Sequence, residues 1–200
     1  MRYRTPARGL LFAALLLVVP SIAEAGPPLL CHPYQTTGGE LLQWGGGPGW
    51  NTPDPGYDVK QLTADLSRLL TADAPLLTRM ENMRRAVIYA TRDAEVADEL
   101  LQAVLGRATS AAGTPAAAAL FDAGFLVETY RQAAHLHRRA APDVDGYALV
   151  QRALAMSGGS PEMEFAASLM TTGAQSSAHL RRARAGASPL LARNIVNQGR

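Results

Sequence analysis

The sequence predicts an all-α protein: six to seven antiparallel helices as stacked hairpins, in a short α-solenoid or a bundle, preceded by an irregular Pro/Gly-rich arm. Three observations carry this. From Asp58 onward apolar side chains recur every three to four residues. Helix-starting residues such as Asp93, Thr114-Pro115 and Ser160-Pro161 stand before these apolar runs. No segment sustains the alternation of a half-buried strand.

The first helix is expected over residues 58–70, with Val59, Leu62, Leu66, Leu69 and Leu70 on one face. Asp73 then reads as the cap of a second, with Pro75 in its first turn and Leu76, Leu77, Met80, Met83, Val87 and Ala90 facing inward. Asp93 opens a third, striped by Val96, Leu100, Leu101, Val104 and Leu105. Thr114-Pro115 starts a long helix through Phe121, Gly124, Val127 and Tyr130 to about Arg139. Asp143 or Asp145 starts the fifth, through Tyr147, Val150 and Leu154, and Gly158-Gly159 ends it. Ser160-Pro161 caps the sixth, carrying Phe165, Leu169 and Met170 as far as Gly173. A weaker seventh covers residues 177–185, and a short turn follows Ser188-Pro189. The helical domain is thus residues 58–185, and residues 186–200 form a basic C-terminal tail.

Residues 26–57 are too dense in Pro and Gly for any helix. They nevertheless hold both tryptophans, Trp44 and Trp50, with Tyr34, Tyr57 and Cys31. Disordered segments are normally poor in aromatics, so the expectation is an ordered arm packed on the helices.

Residues 1–25 read as a secretory signal: Arg2, Arg4 and Arg8, an uncharged apolar run from Gly9 to Val19, then Ala23-Glu24-Ala25. The run is shorter than the roughly 20 residues a membrane span needs. Leu30 before Cys31 argues against a lipoprotein signal. An exported protein, periplasmic or secreted, is expected, without an integral membrane segment after cleavage. Cleavage removes three Arg and one Glu, leaving 16 basic and 16 acidic side chains. That neutrality gives no support for nucleic-acid binding. No acidic residue follows Glu164, so the body is acidic and the tail basic.

Reaction chemistry is sparse. Cys31-His32-Pro33 is the most suggestive triplet, since thiolate and imidazole both ligate metals and a cysteine near a histidine can be a nucleophile. Adjacent side chains on extended backbone point apart, so a site requires His135, His137, His179 or a carboxylate from the helices. The simplest reading of Cys31 is a small hydrophobe under the arm. His135 and His137, with Arg138 and Arg139, suit the negative end of a helix. Met80, Met83, Met156, Met163 and Met170 read as core filler and not as copper ligands. Glu162 and Glu164 complement a helix start, and Arg84-Arg85 and Arg181-Arg182 read as solvated faces or ion-pair partners. No cofactor is expected.

The segment Gly26-Pro-Pro-Leu-Leu-Cys-His-Pro-Tyr34, together with Trp44, Trp50 and the helix from Phe121 to Tyr130, resembles an uncharacterised family of exported bacterial helical proteins. That resemblance implies export and supplies no catalytic residue. Residues 146–170 locally resemble the join between tetratricopeptide-type hairpins. The expected function is therefore non-enzymatic binding or scaffolding in the bacterial envelope. A groove between hairpins, or an arm surface built on Cys31, His32, Tyr34, Trp44 and Trp50, would receive a protein or peptide. The alternative is a metal- or haem-binding protein using Cys31 with His32 or a helix histidine.

Overall fold

A computed structural model describes residues 28–137 and 140–198. The expected signal at residues 1–25, the first two residues of the arm, and Arg138 and Arg139 lie outside the described residues. Among those described the protein is all-helical without strands, in nine α-helices.

Asp58 caps a short 3-10 turn over Val59–Gln61, which leads into α1 (Leu62–Leu69). α2 (Leu76–Ala90) starts after Pro75, with no side-chain cap. Asp73 does not cap it; its carboxylate bonds Thr71. Asp93 caps α3 (Ala94–Ser110) by accepting from the Glu95 and Val96 amides. α4 (Thr114–Gln132) follows Gly113, whose φ of +68° suits a residue without Cβ. The long helix does not continue to residue 139: it breaks at Ala133, and α5 (Ala134–His137) is one separate turn.

Of the two aspartates proposed for the next cap, Asp145 serves, accepting from the Ala148 amide of α6 (Gly146–Ser157). Gly158 ends α6 in the left-handed region at φ +72°. Ser160 caps α7 (Pro161–Met170) through the Met163 amide. α8 (Gly173–Ala185) begins at the glycine expected to be a breaker, which adopts φ +58°. The basic tail is not a tail: residues 189–198 form α9 (Pro189–Gln198), with Leu191, Asn194 and Ile195 buried. Leu191 and Ile195 are one turn apart, so a helix buries both on one face.

α4 is the hub. It packs against α2, α3, α6 and α7, and Phe121, Phe125, Leu126 and Val127 on it are all fully buried. A helix apolar on every side belongs in a core. In a solenoid each hairpin meets only its neighbours, whereas here α2 of the first hairpin reaches α7 of the third. The arrangement is a bundle. Gly124 on α4 faces Gly146 on α6, and a Cβ on Gly124 would lie 2.7 Å from Val150 Cγ2 and against the Gly146 carbonyl. The two helices pass at backbone contact because neither position carries a side chain.

Candidate functional site

The arm is ordered and packed, as its aromatic content suggests. Leu29, Leu30, Tyr34 and Leu42 are buried in the same core as the helices. Extended backbone under a core needs hydrogen-bond partners, and the arm forms no sheet to supply them. α2 does so with side chains. Glu81 Oε2 accepts from the Tyr34 amide at 3.0 Å. Asn82 clamps both sides of the chain: Oδ1 accepts from the Leu42 amide at 2.8 Å and Nδ2 donates to the Glu40 carbonyl at 3.0 Å. Arg84 Nη1 donates to the carbonyls of Leu30 and Trp50, and Arg85 Nη1 to that of Leu42. From α9, Asn194 repeats the clamp on the amide and carbonyl of Gln35.

This accounts for an apparent contradiction in α2. Its Thr78, Arg79, Glu81, Asn82 and Arg84 are polar or charged, yet all five are buried. Of the two readings of Arg84, the ion pair holds and the solvated face does not: its side chain is 0 % exposed and paired through Nε with Glu81 at 2.8 Å. Arg85 meets the same carboxylate at 2.7 Å.

The candidate residues of the arm mostly face inward. Tyr34 is 4 % exposed and sits edge-on to Phe125 and Phe165 with ring centroids 6.1 and 6.4 Å away. Trp44 is half-buried, edge-on to Tyr89 at 5.4 Å, with the Arg84 and Arg85 guanidinium groups over its ring. Trp50 and Cys31 are half-buried against the core. Burial pushes the Cys31 thiol up, and the positive charge of Arg84 only partly opposes this. His32 is half-buried and its carbonyl accepts from Gln198 at 3.3 Å.

Among the described residues no three of His, Cys, Asp and Glu gather as a metal would require. His135 is exposed on α5, and His137 stacks on Tyr130 at 5.0 Å. His179 is committed elsewhere. Its Nδ1 lies 2.5 Å from Glu164 Oε2 and its Nε2 lies 2.7 Å from Tyr147 Oη.

That cluster is what sequence reading missed. Glu164 on α7 also accepts from Arg182 Nε of α8 at 2.7 Å, and the Gln151 and Gln175 amides donate to Tyr147 Oη. Burial works to raise the Glu164 pKa, but the hydrogen bonds from Arg182 and His179 outweigh it and hold the carboxyl below its usual range. The network ties α6, α7 and α8 together. Glu164 therefore does more than complement a helix start, and Arg182 is an ion-pair partner.

One surface is open and apolar. Between the end of α3, the start of α4 and the outer face of α6 lies a groove of about 640 Å³, lined by Leu105, Ala108, Ala116, Leu120, Leu149 and Met156. Met80, Met83 and Met163 are core residues as expected, but Met156 is 54 % exposed at this groove. Arg152 stands beside it.

No protein-family model, curated protein or solved structure matches the chain. Functional inference rests on the geometry of its own residues. No helix among the described residues is long and apolar enough to cross a membrane.

Proposed function

We propose that this is an exported, non-enzymatic binding or scaffold protein of the bacterial envelope, and that it receives an apolar peptide or protein segment in the groove between α3, α4 and α6. Export rests on the sequence pattern of residues 1–25 and on the resemblance carried by residues 26–34. The observation that carries the binding reading is Met156, a large apolar side chain left in solvent at the edge of the apolar groove. Methionine is flexible and polarizable, which suits a surface that adapts to an incoming side chain. The arm, the other surface considered, turns Leu29, Leu30, Tyr34 and Leu42 inward and supports the fold instead.

The test is fluorescence anisotropy with a labelled amphipathic helical peptide of leucine and glutamate. Saturable binding, weakened at least tenfold by Met156→Glu and by Leu149→Glu, is expected. Absence of saturable binding, or binding by both variants as tight as by the wild type, refutes the groove as the site.

A further inference from the structure

Among the described residues, Arg152 is the only charged side chain that lines the groove between α3, α4 and α6. It is exposed and has no hydrogen-bond or ion-pair partner among those residues, whereas Arg79, Arg84 and Arg182 each meet a carboxylate. Helix geometry sets its place. Leu149, Arg152 and Met156 stand three and four residues apart, so α6 turns all three toward the groove in one stripe of about 10 Å. The end of α3 and the start of α4 supply Ala108, Ala111, Ala112, Gly113 and Ala116, none with a side chain beyond Cβ. Small residues at a contact let a second helix axis come close, which suits a helix laid along α6.

A segment that covers Leu149 and Met156 also takes water from Arg152 between them. A guanidinium deprived of water without an anion is costly, and a second cation beside it costs more. We propose that the partner of the groove is an acidic amphipathic helix. It carries one carboxylate between two apolar side chains, three residues from one and four from the other, so that the carboxylate meets Arg152 while the apolar pair meets Leu149 and Met156. The inference rests on the groove reading above and adds the charge and spacing of the occupant. Exposed Asp143 and Asp145 flank Val144 at the start of α6, so a carboxylate is favoured at the level of Arg152 and opposed at that end.

The experiment is fluorescence anisotropy on the full chain with three labelled helical peptides of leucine and glutamine. They are identical except for Glu, Gln or Lys at the one position between the two leucines. The wild type should bind the Glu peptide tightest and the Lys peptide at least tenfold more weakly, a gap that narrows in high salt. Arg152→Glu should reverse that order yet bind the Gln peptide within about twofold of wild type, which shows an intact groove. Arg181→Glu, an equal charge change at an exposed site on α8, should leave the order as it was. Saturable binding of the Glu and Lys peptides at equal strength overturns the acidic partner while the groove stands. So does an order altered as much by Arg181→Glu as by Arg152→Glu. Failure of all three peptides to saturate refutes the groove reading and this inference with it.

Discussion

Replacing Arg84 by Met should be among the most damaging single changes in the protein. Its guanidinium grips Glu81 with two nitrogens, at 2.8 and 2.9 Å, and donates to the Trp50 and Leu30 carbonyls at 3.0 and 3.2 Å. Methionine keeps the stem's packing and removes every donor. Glu81 retains Arg85 and the Tyr34 amide, so its charge is not stranded. The two arm carbonyls do lose this donor, at about 1–3 kcal/mol each for a buried group. With the weakened ion pair the total is about 3–5 kcal/mol. For a chain of this size each kcal/mol moves the melting midpoint by about 2–4 °C, so Arg84→Met should fall by roughly 6–20 °C. Thermal and urea unfolding followed by circular dichroism measure this. Arg85→Met is the internal control, because Arg85 is partly exposed and holds one arm carbonyl instead of two. A loss under about 1 kcal/mol, or one no larger than that of Arg85→Met, would refute the view that the buried stripe of α2 holds the arm.

Gly124→Ala should destabilise by about 1–3 kcal/mol through overpacking against Gly146 and Val150, outweighing the better helix propensity of alanine; a higher melting temperature would contradict the close α4–α6 passage. Burial is the leading cause that pushes the Asp122 pKa up to about 6, against the opposing pull of Arg79 and Arg107. Because the folded value lies above the unfolded one, this group's contribution to stability rises as pH falls from 7 through 6 toward 4. The span is about 3 kcal/mol. Urea midpoints of the wild type and Asp122→Asn across that range should therefore diverge, and parallel profiles would exclude the effect. Cys31, with its thiol raised by burial, should react with iodoacetamide at pH 7 at least tenfold more slowly in the folded protein than in urea. Equal rates would mean an open, activated thiol.

Most of the helices were legible because their signals are local. Apolar spacing in α1 and α3, the Asp93 and Ser160 caps and the Gly158 stop each act within a turn or two of the chain. Signals failed where a local rule had a competitor. Pro75 took the N-cap position for which Asp73 was expected, and Gly173 opened a helix instead of closing one. Residues 186–200 read as a basic tail with only a short turn after Ser188-Pro189, but the one-turn spacing of Leu191 and Ile195 buries a full helix there.

The candidate sites were far less legible. Arg79 meets Asp122 across 43 positions, Glu164 meets His179 across 15, and Asn194 meets Gln35 across 159. Apolar periodicity states that a face is buried without naming its partner, and a polar residue reads as solvent-facing until a partner is known. The sequence by itself determined that the chain is helical, roughly where its helices lie, and that the arm is ordered. Only the tertiary structure decided that α2 buries its charges. The physical reason is that extended arm backbone inside a core must find donors and acceptors, and the nearest helix supplies them from its polar face.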